Sequence, residues 1–538
     1  MRTVLFRAIV FLASGCATAS GQVQTDAGPV RGATSDGITA FLGIPFAAPP
    51  VGNLRWKPPQ PVAPWTDVRD CTRFGPACPQ PPGLFARGLG PQSEDCLYLN
   101  VWTPLVPPAS SRHPDSSDTA PAPRPLPVMV WIHGGGCRTG AGSLPFYNGV
   151  KLARKGVVVV TINYRLGPLG FLAHPLLSRE SPKGVSGNYG FLDQVAALKW
   201  VQRNIAAFGG DPTCVTIFGE SAGAVSVCRH MVSPLSKGLF HRAIAQSGGA
   251  HGRNRDLRRA VGRMEAAEDV GLQLAAKLGC DKADDPLAAL RAKTPRELIT
   301  AADPAVGLFG KGIRFGPIVD GWALPEDPVK AFAEARQHDV PFMVGSNADE
   351  GTIFLTALPV RRPAGYRRLI KALYGDHADD VLKLFPVPRT ADGVKATANR
   401  LITASAFAAP ARFLVRSMER KASKAYLYHF TRKSPQLATR RYGAFHGLEI
   451  GYIFRNTRGL AWYAREDKSL SDAMRGYWTR FAATGDPNGG GEPAWPAYTT
   501  TSDQYMELGG SIRARSGLLK EACDLFDRIS TEGRLAID

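Results

Sequence analysis

Ser221 stands in Gly219-Glu220-Ser221-Ala222-Gly223, a G-x-S-x-G pattern preceded by Val215-Thr216-Ile217-Phe218. Those four residues are β-branched or aromatic and read as a short buried strand. The apolar stretch 222–227 suits a helix. A sharp strand-to-helix turn takes glycine on both sides of its tip, because no Cβ fits there. The tip residue is left strained, with its side chain exposed. A serine hydroxyl is a poor nucleophile alone. It needs a histidine to take its proton, an acid to orient that histidine, and donors for the oxyanion. Five residues of this pattern also occur in chance loops, so the other parts must be found in the chain.

The donors come from His133-Gly134-Gly135-Gly136, which follows an apolar run at 128–132. Consecutive glycines let peptide N–H groups approach a ligand without side-chain interference, and such nests bind oxyanions. The run matches the HGGG-type loop that works with the N–H after the nucleophile. Gly135, Gly136 and Ala222 are therefore the candidate oxyanion hole. The acid should follow a later strand, and Asn347-Ala348-Asp349-Glu350-Gly351 lies just beyond one. Asp349 and Glu350 are both open on chemistry alone. The base should come last. His377 sits among charges and reads as surface, and His429 lies inside a strand pattern. His446, in the glycine-flanked Gly443-Ala444-Phe445-His446-Gly447, is preferred because a loop there can reach over the sheet edge.

The elements that must position these residues are legible in outline. Apolar runs at 96–102, 128–132, 156–163, 215–218, 242–246, 340–344 and 425–430 read as strands. Several are long enough in valine and isoleucine to suit a sheet covered on both faces. Residues 193–208 show helical spacing, stopped by Gly209-Gly210-Asp211-Pro212. Strands alternating with helical stretches predict an α/β fold with a large, mostly parallel central sheet and helices on both faces. Charge-rich helical stretches at 256–300 and 360–403 are expected to form cap regions around the mouth. Residues 104–127 are rich in Pro, Ser and Asp and read as an exposed inserted loop. No linker divides the chain, so 22–538 is read as one catalytic domain.

The chain has 538 residues, 44% hydrophobic and 21% charged, with a formal net charge of +19. The Lys and Arg residues are scattered and no nucleic-acid motif is present, so a nucleic-acid partner is not expected. Arg2 and Arg7 open a basic segment, an apolar run 8–13 follows, and Ala17-Thr18-Ala19 offers a cleavage site. Residues 1–21 are read as a signal peptide, cut near 19/20 or 21/22. The apolar run is too short to span a bilayer. Leu12-Ala13-Ser14-Gly15-Cys16 leaves open a lipoprotein anchored through Cys16, against periplasmic or secreted export. The absence of any N-x-[ST] sequon fits a bacterial export product. Cys78 and Cys96 close a Pro/Gly-rich loop and are the best candidates for a disulfide. The partners of Cys71, Cys137, Cys214, Cys228, Cys280 and Cys523 are left open, and no zinc spacing is present.

With those residues in hand, the chain resembles the type-B carboxylesterases, the family of cholinesterases and p-nitrobenzyl esterases. The likeness rests on GIPFAAPPVGNLRW, SEDCLYLNVW, WIHGGG, NYRLGPLGF, GNYGFLDQVAALKWVQRNIAAFGGDP, VTIFGESAGA, GPIVDG, GSNADEGTIF, GAFHGLEIGYIF and RFAATGDPN, in family order. It implies an α/β-hydrolase fold and a Ser-His-Glu triad of Ser221, His446 and Glu350. It further implies a disulfide between Cys78 and Cys96, a supporting serine at Ser247 near the acid and a carboxylate at Glu220 beside the nucleophile. Arg55 with Glu94, and Arg165 with Asp193, match two family ion pairs. Three departures stand out. Cys280 lacks the upstream partner of the family's second disulfide. The loop from Cys78 to Cys96 has no Trp, so a choline ester is a poor expectation. Cys137 stands where an aromatic commonly follows the glycines. The expected activity is hydrolysis of a small carboxylic ester through an acyl-enzyme, needing no metal or cofactor. Two alternatives remain at this point: a non-catalytic binding or adhesion protein, and cleavage of amide, carbamate or polyester bonds.

Overall fold

The computed structural model describes residues 20–83, 88–104, 124–251, 254–262, 264–303, 312–355, 362–434, 436–455 and 465–531. A mixed sheet of thirteen strands runs through them: β1 (Ser20–Gln24), β2 (Pro29–Ser35), β3 (Ile38–Pro45), β4 (Arg69–Asp70), β5 (Tyr98–Thr103), β6 (Leu126–Ile132), β7 (Val158–Ile162), β8 (Gly210–Glu220), β9 (Arg242–Gln246), β10 (Phe342–Asn347), β11 (Ala425–Phe430), β12 (Gln504–Leu508) and β13 (Ile512–Ser516). The order is β1-β2-β3-β5-β7-β6-β8-β9-β10-β11-β12-β13, with β4 beside β2. From β7 to β12 every neighbouring pair is parallel, and the flanking pairs in that order are antiparallel.

The valine-rich runs become the parallel centre because both of their faces are covered. Successive side chains of a strand point to opposite faces. In β6, Val128, Val130 and Ile132 join one core, whereas Met129 and Trp131 join the other. β8 divides the same way, with Val215 and Ile217 on one side and Phe218 on the other. The α/β expectation is met, with a mostly parallel centre and helices packed on the sheet.

Element ends differ from the sequence reading. β8 starts at Gly210 and absorbs the Gly-Asp-Pro stretch expected to be only a helix stop. Its pairing with β6 shifts register between Leu126 and Val128, which accommodates the extra residues. Helix α1 (Tyr189–Asn204) begins four residues before the expected start, and 205–208 tighten into a 3₁₀ turn ended by Gly209 at φ 81°. β6 begins at Leu126, so the end of the expected loop is strand, while residues 105–123 lie outside the described residues. Residues 1–19, including Cys16 and most of the expected signal peptide, also lie outside them.

Helix α2 (Ala222–His230) follows β8 directly. Three helices fall in each expected cap stretch: Ala267–Lys277, Pro286–Ala292 and Pro295–Ala302 in the first, and Pro363–Tyr374, Ala378–Leu384 and α3 (Ala391–Ile402) in the second. α3 packs on the turn after β10: a Cβ on Gly351 would lie 2.8 Å from Asn399 Cα. Among the described residues no helix is long and apolar enough to cross a membrane.

A disulfide joins Cys78 and Cys96, and among the described residues Cys71, Cys137, Cys214, Cys228, Cys280 and Cys523 form none. Both expected ion pairs are present. Arg55 grips Glu94 through Nε at 2.7 Å and Nη2 at 2.5 Å. Arg165 grips Asp193 through Nε at 2.8 Å and Nη2 at 2.7 Å, with side chains 4% and 0% exposed. Removing one member of so buried a pair strands the other charge. Asp193→Ala should therefore destabilise the protein by about 3–5 kcal/mol, read as a lower urea midpoint. An unchanged midpoint would contradict this.

Candidate active site

Ser221 sits between β8 and α2 at φ 57° and ψ −121°, a conformation that L-residues rarely adopt. The two motif glycines are there for contact reasons. A Cβ on Gly219 would lie 2.6 Å from the Ile132 carbonyl oxygen, and one on Gly223 would overlap that same oxygen. The elbow is thereby pressed against the end of β6. Its backbone is tied to the sheet by Ser221 N–H donating to Gln246 O at 2.9 Å. Val225 N–H donates to Ser221 O at 2.9 Å, so α2 starts at once. The N–H groups of a helix's first turn have no intrahelical acceptor, and Ala222 supplies the first of them.

The glycine run leaves β6 on the adjoining strand. Gly135 and Gly136 are exposed, at φ 103° and 65°, and Cys137 follows at φ 54°. His133 anchors the loop from beneath. Its ring stacks on Tyr164 at 4.4 Å and its Nδ1 meets Gly134 O at 2.8 Å. Burial pushes the His133 imidazole down to about 4, so it is neutral and donates from Nδ1. A Cβ on Gly134 would lie 2.7 Å from Glu220 Oε2 and 3.1 Å from Ser221 Cβ, which sets the loop against the elbow.

His446 arrives on the loop after β11. Its Nδ1 meets Glu350 Oε2 at 2.6 Å, and its Nε2 lies 3.1 Å from Glu220 Oε1. The imidazole is thus beside the residue that precedes Ser221. Nε2 and Glu220 Oε1 are in ion-pair range, yet neither makes a hydrogen bond among the described residues. Glu350 is fully buried, and its Oε1 accepts Asn347 N–H at 2.7 Å. Asp349, the other candidate acid, turns away. It accepts Asn399 Nδ2 at 2.9 Å and Ala444 N–H at 2.9 Å, strapping the histidine loop to α3. His429 is buried in β11 with Nδ1 3.1 Å from Ser346 Oγ, and His377 is half-buried in a short turn. Ser247 follows β9 at φ 51°, fully buried, and its hydroxyl finds no partner among the described residues.

Three residues here were given no role in the sequence reading, although Glu449 and Phe354 fall within the quoted GAFHGLEIGYIF and GSNADEGTIF stretches. Glu449, three residues after His446, is buried and accepts Asn347 Nδ2 at 2.5 Å and Gln246 Nε2 at 3.2 Å. Phe354 and Phe407 flank the imidazole at 5.0 and 5.1 Å. Phe407 stands on a π-helical turn, Thr403–Ala408, a distortion often found at functional sites.

Charge is concentrated on the histidine side. Burial pushes the Glu220 carboxyl up, opposed by His446 and reinforced by Glu449 and Glu350. Burial also pulls His446 down, but Glu220, Glu350 and Glu449 outweigh it and hold the imidazole above its ordinary 6.5.

Comparison with known proteins places the chain in a family. Residues 19–526 match the model of the Carboxylesterase family. The chain is 40% identical to the Fumonisin B1 esterase of Sphingopyxis macrogoltabida over 92% of its own length and 87% of that protein's. It is 38% identical to the para-nitrobenzyl esterase of Bacillus subtilis (strain 168), covering 91% and 95% of the two chains. A solved PNB esterase structure superposes with a TM-score of 0.79 at 35% identity, covering 94% of this chain and 99% of that one. The chain belongs to the carboxylesterase family and is a carboxylic ester hydrolase of the α/β-hydrolase fold.

Proposed function

We propose that the enzyme cleaves small carboxylic esters through an acyl-enzyme on Ser221, with His446 as general base and acid and Glu350 as its orienting carboxylate. His446 Nε2 takes the Ser221 proton as Oγ attacks the ester carbonyl. The N–H groups of Gly135, Gly136 and Ala222 bind the oxyanion. His446 then protonates the departing alcohol. A water, deprotonated by the same nitrogen, attacks the acyl-serine and releases the acid. The observation that carries this reading is the 2.6 Å pairing of His446 with Glu350. That pairing favours a proton on Nδ1, which would leave Nε2, without a hydrogen bond among the described residues, beside the strained elbow. Such base–nucleophile contacts commonly tighten only when substrate is bound.

Esters that share an acyl group and differ in alcohol must pass through one acyl-serine. They should partition identically between water and added methanol. A ratio that changes with the leaving group would contradict the covalent intermediate.

The buried carboxylates give a pH prediction. A base must be neutral, and a raised imidazole is still protonated near neutrality. The acid limb of kcat/KM should therefore lie above 6.5. Glu220 is the largest of the charges that hold His446 up. Glu220→Gln should move the limb down by about one unit or more. A limb that stays in place would mean that Glu220 is already uncharged in the free enzyme.

Export completes the proposal. Residues 1–21 serve as the signal peptide, cut near 19/20 or 21/22 or at a lipidated Cys16, and 22–538 act as one catalytic unit outside the cytoplasm. N-terminal sequencing of natively produced protein should start at residue 20 or 22, or show a lipidated Cys16. A chain that keeps Met1 would contradict export.

A further inference from the structure

Two strand ends and the histidine loop meet at one buried carboxylate. Glu449 is fully buried at the start of helix α4 (Ile450–Phe454), three residues after His446. Its Oε1 accepts Gln246 Nε2, from the end of β9, at 3.2 Å. Its Oε2 accepts Asn347 Nδ2, from the end of β10, at 2.5 Å. Each of these amides also holds a triad member. Gln246 O accepts Ser221 N–H at 2.9 Å. Asn347 N–H donates to Glu350 Oε1 at 2.7 Å, and its Nδ2 donates to Phe445 O, next to His446, at 2.9 Å. Behind the carboxylate, Tyr452 and Ile453 N–H donate to Glu449 O at 2.9 and 3.1 Å, so α4 fixes its backbone.

Neither amide can turn around. Gln246 Oε1 accepts Trp478 Nε1–H at 3.1 Å, and a reversed Gln246 would set its NH₂ against that donor. A reversed Asn347 would set its carbonyl oxygen against Phe445 O. Both therefore present N–H groups to Glu449, and only a side chain that accepts on both of its branches satisfies them. An ionised carboxylate does so, and an amide of the same shape does not. Burial pushes the Glu449 carboxyl up and Glu350 adds to this, while the Asn347 hydrogen bond and His446 pull it back. Its oxygens meet amides rather than a cation, and a charge buried without an opposite one costs stability. The fold alone does not account for a carboxylate there. We infer that Glu449 is a positioning residue, which by gripping Gln246 and Asn347 sets the His446 loop against the Ser221 elbow and the Glu350 turn at once. This rests on the triad reading above. An ångström of misplacement among reacting groups can cost about 100-fold in rate.

The test exchanges two partners. Glu449→Gln keeps the shape but turns an NH₂ toward one of the amides, donor against donor. On p-nitrophenyl acetate, measured on the alkaline plateau, kcat should fall about 10- to 100-fold with KM within about twofold. Gln246→Glu alone should also lose activity, because it sets two carboxylates face to face. The double variant Glu449→Gln/Gln246→Glu should recover most of kcat. There the introduced glutamine accepts from Asn347 and donates to the introduced glutamate, whose other oxygen still takes Trp478 Nε1–H. In a Glu350→Gln background the acid–base pair is already broken, so Glu449→Gln should cost less than about threefold more. A carboxylate that served stability alone would show no such dependence. Unchanged kcat in Glu449→Gln, a folded double variant without recovery, or full additivity with Glu350→Gln would overturn the proposal. Should Glu449→Gln fail to fold, Asn347→Ala takes its place, with the same expected loss and the same lack of additivity. Failure of both to fold would show that the network serves the fold, and would also overturn it. Fluorophosphonate labelling separates this inference from the one beneath it. Labelling of Ser221 at the wild-type rate in Glu449→Gln would defeat the positioning role alone, whereas a label on another residue of the wild type would defeat the triad reading.

Discussion

Ser221→Ala is expected to lower kcat on p-nitrophenyl acetate by about 10⁶-fold, the loss seen when a serine hydrolase is deprived of its nucleophile. The substitution removes one oxygen from a half-buried position. Alanine must still hold φ near 57°, as serine does, so the elbow pays little extra strain. Gly219 and Gly223, which fix the turn against Ile132, are untouched. Stability should therefore stay close to wild type, and activity alone should fall. Residual turnover would come from the glycine loop and from binding. Retention of more than about a hundredth of the activity would be incompatible with a covalent route through this oxygen.

Glu350→Gln should lower kcat by about 10⁴-fold, the size found when an orienting carboxylate is replaced by its amide. The reason is local. Glu350 Oε1 accepts Asn347 N–H at 2.7 Å, so a glutamine must put its carbonyl oxygen there. Its NH₂ then faces His446 Nδ1, where Oε2 now sits at 2.6 Å. The imidazole is forced to accept at Nδ1 and to carry its proton on Nε2. A nitrogen already protonated cannot take the Ser221 proton. The same change removes a buried negative charge that supports a protonated imidazole, so the remaining activity should titrate at lower pH. An activity within tenfold of wild type would show that Glu350 does not set the tautomer.

The elbow was readable from sequence because its cause is local. Two glycines and a serine within five residues reflect backbone contacts that no side chain could survive. The glycine loop was readable for the same reason, since Gly134, Gly135 and His133 all act on near neighbours. The acid was not decided by the residues themselves. Asp349 and Glu350 are adjacent carboxylates in one turn, and what separates them is a loop almost a hundred residues downstream. Asp349 takes Ala444 N–H from it, and Glu350 takes the imidazole. Glu449 and Phe354 stand in quoted motifs, but their roles, like that of Phe407, depend on packing between β10, β11 and the segments around them. Strand limits slipped where pairing outweighed composition: β8 keeps a proline and an aspartate because β6 lies beside them.

The central claim is that one hydroxyl becomes covalently attached to the acyl group. The direct measurement is mass spectrometry of proteolytic peptides after reaction with a fluorophosphonate. A single stoichiometric adduct is expected on the peptide containing Ser221, formed far more slowly in His446→Ala. An adduct on another residue, or full inactivation with an unmodified Ser221, would contradict it.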